Sequence, residues 1–97
     1  MEKSKWQGIV LAKLYKTCGI NNAIKDNEQF GAEITSCLQK YLQMDWGDTC
    51  KSDCKLNDYS IKNDERIVAK YITTKGDVFI ITEWDRSATT ILFAHEY

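Results

Sequence analysis

Between Arg66 and Phe93 the side chains alternate in a way that strands satisfy and helices do not. Ile67, Ala69 and Tyr71 interleave with Val68, Lys70 and Ile72. Thr74-Lys75-Gly76-Asp77 then supplies a glycine turn, and Val78-Phe79-Ile80-Ile81 resumes an apolar, β-branched run. A second turn, Glu83-Trp84-Asp85-Arg86-Ser87, leads into Thr89-Thr90-Ile91-Leu92-Phe93. Three strands with short connections form an antiparallel meander, and the rest of the chain has to be fitted around it.

The rest reads mostly as helix. Phe30, Ile34, Cys37, Leu38, Tyr41 and Leu42 place an apolar stripe on a helix from Asn27 to Gln43, with Asp26 or Asn27 as its N-cap. Thr17 is placed to cap a short helix running through Ile24, and Ser52 to Asn63 suits a polar helix anchored by Leu56, Tyr59 and Ile61. Gly8 to Lys16 fits either period; its weak alternation favours a strand. The expected fold class is α+β: a small antiparallel sheet, with an N-terminal strand added to the meander, packed by two or three helices. At 97 residues, spanning 1–97, this is one domain with a modest core.

Charge excludes some partners. The chain carries a net charge of -1. Residues 1–44 lean basic and residues 45–97 lean acidic, but neither forms a basic footprint for nucleic acid or a dense acidic mimic of it. Direct nucleic-acid binding is not expected. The N-terminal apolar run is short and interrupted by Lys13 and Lys16, so neither a signal peptide nor a membrane span is expected. The expected location is a reducing cytoplasm, where four cysteines are free thiols or metal ligands rather than disulfides.

Cys50 and Cys54 lie four apart, so on a helix both thiols share one side, as two ligands of a structural zinc site would. Cys18, at a helix start, is the first choice for a third ligand; Cys37, Asp48, Asp53 and His95 remain open. Cys37 falls in the apolar stripe, where a buried free cysteine is ordinary. A thiol at a helix terminus is expected to have a lowered pKa. His95 is the only histidine, near the end, and reads as a solvated side chain. No phosphate loop, nucleophile elbow or H-E-x-x-H motif occurs, so the chain is not expected to be an enzyme. Trp46 and Trp84 each stand among turn residues beside aspartates, where a large aromatic either closes a core edge or anchors a partner. Arg86 is expected to pair with Asp85 or with the Asp45/Asp48 loop.

Several of these stretches carry a resemblance. Asp45-Trp46-Gly47-Asp48, Asn57, Ile80-Ile81-Thr82-Glu83, Asp85 through Leu92, and the closing Glu96-Tyr97 resemble a family of small proteins abundant on plasmids, conjugative elements and phages. Its members read D-W-G-D, then I-T-E-A-D-R-S-x-T-T-I-L and a closing E-Y; Thr17 and Gly19 match more loosely. Trp84 stands where alanine is usual, Cys54 where a charge is common, and His95 where an acid is found. The resemblance implies an accessory protein of elements that must survive host defence. Small phage proteins of this kind include anti-CRISPRs that bind the effector nuclease. It therefore implies a monomeric inhibitor of a type II effector, Cas9. Its candidate contact residues are Trp46, Asp48, Trp84 and Asp85, in the more acidic half. The alternative is a zinc-supported maintenance module, or a small enzyme, of the element itself.

Overall fold

The computed structural model describes residues 2–97. The meander forms as its alternation predicts. Strands β2 (Ile67–Thr73) and β3 (Gly76–Thr82) pair antiparallel with Val68 opposite Ile81, and β3 pairs antiparallel with β4 (Thr89–Phe93), with Phe79 opposite Leu92. Ile67, Ala69, Tyr71, Val78, Ile80, Ile91 and Phe93 point to one face and are buried there.

Helices supply the other half of that core. In α3 (Glu28–Leu42) the predicted stripe is buried through Phe30, Ile34, Cys37 and Tyr41. Asn27 caps this helix, its side-chain oxygen accepting from the Phe30 N–H at 3.2 Å. Thr17 does the same for α2 (Cys18–Asp26), accepting from the Ile20 N–H at 3.2 Å. A further helix, α4 (Lys51–Asn63), lies beside β2 and buries Asn57, Ser60 and Ile61. The expected α+β class stands, with four helices among the described residues rather than two or three.

The N-terminal segment corrects the sequence reading. Only Leu14–Lys16 is a strand, β1, whereas Lys3–Ala12 is a helix, α1. The choice is made by distant burial: Trp6 and Val10, one helical turn apart, are both fully buried, and the Trp6 indole N–H donates to the Tyr41 carbonyl at 3.0 Å. β1 then joins β4 in parallel, Leu14 opposite Thr89, giving a mixed sheet of order β1-β4-β3-β2. A line of hydroxyls crosses the core from α3 to the sheet: Tyr41 to Thr82 at 2.7 Å and Thr82 to Thr89 at 2.8 Å. Paired in this way, three buried polar side chains avoid the cost of unmet hydrogen bonds. No helix among the described residues is long and apolar enough to cross a membrane.

Candidate functional site

Strand β2 is the last in the sheet, and a bare edge of that kind invites pairing with other chains. Here it is covered by the D-W-G-D stretch and by α4. Asn57 brackets one residue, donating to the Val68 carbonyl at 2.9 Å and accepting from the Val68 N–H at 3.3 Å. Thr49 Oγ1 accepts from the Lys70 N–H at 2.8 Å, while the Asp48 N–H donates to the Lys70 carbonyl at 2.9 Å. The Asp48 carboxylate accepts from the Ile72 N–H at 2.8 Å. Asp48 is thus a sheet-edge residue.

The turn that delivers these groups depends on Gly47. Its φ is +62°, and a Cβ there would run into the ring of Tyr71. Asp45 supports the turn twice: its carboxylate accepts from the Gly47 N–H at 3.0 Å, and its carbonyl accepts from the Tyr71 hydroxyl at 2.8 Å. Trp46 goes inward. It is 4% exposed, lies edge-on to Trp6 and Tyr41, and its indole N–H donates to Asp58 at 3.0 Å. Of the two roles open to it, Trp46 takes the core-edge one.

Trp84 does the opposite, being 64% exposed at the β3–β4 turn. The turn beneath it is fixed by Arg86, whose guanidinium donates to the carbonyls of Glu65 (2.6 Å), Ser60 (2.9 Å) and Glu83 (3.2 Å). Arg86 does not pair with Asp85 or with the Asp45/Asp48 loop as expected. Its nearest carboxylate is that of Asp64 at 4.0 Å, and the expected acids are engaged by backbone N–H groups. Asp85 accepts from the Ser87 N–H at 3.0 Å, and hydrogen bonding from Ser87 holds its carboxyl below the usual value. Trp84 thus stands exposed between Glu83 and Asp85 on a turn that Arg86 ties to the Asp64–Glu65 segment at the end of α4.

The four cysteines are free thiols. Cys50 is the exposed N-cap of α4; Cys54, one turn later, is half-buried and its thiol donates to the Thr49 carbonyl at 3.4 Å. Burial, and then the charge of Asp58, push the Cys54 thiol up rather than down, so the expected lowering at a helix terminus does not hold for it. Cys18 is exposed at the start of α2, and Cys37 is buried in α3. Among the described residues, no three or more His, Cys, Asp or Glu side chains gather in a group that could hold a metal ion. His95 is exposed and stacks on Phe93.

The other end of the chain is tied by Glu96. Its carboxylate accepts from the Thr17 hydroxyl and from the Phe93 N–H, both at 2.8 Å, and it lies against Gly19. Tyr97 packs edge-on to Phe79, and its hydroxyl accepts from Arg66 at 2.7 Å. On this outer face of the sheet a groove of about 410 Å³ opens between α4 and strands β2 and β3. Cys50, Asp53 and Leu56 line its helix side; Arg66, Val68, Lys70 and Phe79 line its sheet side. Sequence reading missed this groove. The only local signal was that Val68, Phe79 and Leu92 repeat on the face of the sheet that the core does not use.

Set against family models, curated proteins and solved structures, the chain matches none. Within the molecule, several of the stretches quoted above serve as joints of the fold. Asp45 through Asp48 and Asn57 cover a strand edge, Arg86 ties a turn to α4, Thr82 and Thr89 share a buried hydroxyl network, and Glu96 meets Thr17 and Gly19. Trp84 is exposed.

Proposed function

We propose that this chain is a binding protein that works by occupying a partner's surface, and that the partner is a type II CRISPR effector, Cas9. The observation that carries the binding role is Trp84: a large indole left 64% exposed on a turn that Arg86 holds by three backbone carbonyls. A rigid exposed aromatic costs little entropy to bury, and tryptophan is prominent among interface hot spots. The acidic residues Asp85 on the turn, and Asp64 and Glu65 in the segment that Arg86 ties to it, suit a basic partner surface, whose arginines and lysines would meet both the carboxylates and the indole face. Trp84 and Asp85 are the contact residues in this reading. Trp46 and Asp48 support the fold behind them. Cas9 as the target rests on the resemblance to mobile-element proteins. No step of this function uses zinc.

A cleavage assay tests it. Cas9 loaded with guide RNA and target DNA is titrated with the protein. The expected result is inhibition at near-stoichiometric ratios that weakens as salt rises, because charge complementarity chiefly speeds association. Undiminished cleavage in large excess of folded protein overturns the Cas9 assignment.

A further inference from the structure

We propose that the groove between α4 and the outer face of β2 and β3 binds a free L-α-amino acid with a large apolar side chain. This is independent of the Trp84 turn and of any protein partner. Its size, about 410 Å³, lies within the range of small-molecule sites, about 300–1,000 Å³. Its floor is apolar, formed by Val68 and Phe79 on the sheet and Leu56 on the helix. Two residues of opposite charge line the same groove: Lys70 on the strand and Asp53 in the first turn of α4. Neither makes a salt bridge to the other or to any described residue.

Two unpaired charges of opposite sign above an apolar floor complement a zwitterion with an apolar body. The Asp53 carboxylate would take the α-ammonium, and the Lys70 ammonium the α-carboxylate. The side chain would then run along Leu56, Val68 and Phe79 toward Arg66, four residues from Lys70 and thus about 13 Å along an extended strand. Arg66 is already engaged there by the Tyr97 hydroxyl at 2.7 Å and by Glu83 at 3.6 Å. With Arg66 already paired, an apolar side chain suits that part of the groove better than a charged one.

Titration of the isotope-labelled protein with L-phenylalanine, followed by amide NMR, tests this. Saturable shifts are expected at Leu56, Val68, Lys70 and Phe79, with a Kd of about 1 mM or tighter. Phenylpropionate, which lacks the ammonium, and phenethylamine, which lacks the carboxylate, should each bind at least about tenfold more weakly. Asp53→Asn should bring phenylalanine down to the phenylpropionate level, and Lys70→Met down to the phenethylamine level. Asp53 is exposed on a helix, so its variant decides the matter even if Lys70→Met fails to fold. Absence of saturable shifts at these residues, or equal binding of all three compounds, overturns the proposal.

Discussion

The molecule places two tryptophans in two turns, each next to an aspartate, and treats them in opposite ways. Trp46 is 4% exposed and hydrogen-bonded to Asp58; Trp84 is 64% exposed. Both turns hold a residue in the left-handed region, Gly47 at +62° and Arg86 at +61°. At Gly47 the missing side chain lets the backbone close onto Tyr71, and the indole beside it is drawn into the core. At Arg86 the long side chain reaches away to the end of α4 and leaves its neighbouring indole outside. The contrast shows that a tryptophan in a turn is sorted by what the turn is fastened to: a core in one case, a helix end in the other.

The sharpest way to break this contrast is to remove each indole. Trp46→Ala takes out a buried ring that touches Trp6 and Tyr41 and leaves Asp58 without its donor. It should cost about 3–5 kcal/mol, a large share of the stability of a domain this small. Urea unfolding followed by circular dichroism measures it. A loss below about 1 kcal/mol would mean that Trp46 is not the core-edge residue described here.

Arg86→Ala should come next, at about 2 kcal/mol, because a guanidinium that serves three carbonyls is lost from a site only 11% exposed. Its unfolding transition should shift without a change in slope. A variant as stable as the parent would show that the turn is not fastened by Arg86, and the rigid presentation of Trp84 would go with it.

Alkaline pH probes the core side of the contrast without mutation. Burial pushes the phenols of Tyr41 and Tyr71 well above the ordinary value. A raised acid pKa means that the folded state keeps a proton which the unfolded state releases. The associated stability is therefore complete below about pH 10, the ordinary tyrosine value, and is lost progressively above it. Unfolding midpoints measured from pH 8 to 12 should fall beyond about 10, and Tyr71→Phe should reduce that slope. A flat profile would place both hydroxyls in contact with solvent.

How far these features were legible depends on how local their causes are. The meander and the α3 stripe were readable because side-chain period is written in consecutive residues, and the Thr17 and Asn27 caps because they act three residues ahead. The α1 helix was not, since Trp6 is buried by a hydrogen bond to Tyr41, 35 residues away. Nor was the parallel entry of β1, which depends on β4 lying free at the sheet's other side. At the candidate site the acids around Arg86 were visible, but its partners are backbone carbonyls of Ser60 and Glu65, which no residue type announces. For the same reason Asp48 reads as a surface charge until the Ile72 N–H, 24 residues on, is brought beside it.

Trp84→Ala is expected to have the smallest effect on folding and the most informative one on binding. The indole is mostly in water, and the turn is held by Arg86 and by Asp85 with Ser87 rather than by Trp84. Its removal should change stability by no more than about 0.5 kcal/mol, as for other exposed positions. If Trp84 anchors a partner, the same change should weaken inhibition of Cas9 by at least about tenfold, since a hot-spot tryptophan is worth about 2 kcal/mol or more. Stability and inhibition therefore part company at Trp84, whereas at Trp46 they should fall together. Inhibition by Trp84→Ala at the parent's level would remove this turn from the contact surface, and a marked loss of stability would mean that the indole serves the fold after all.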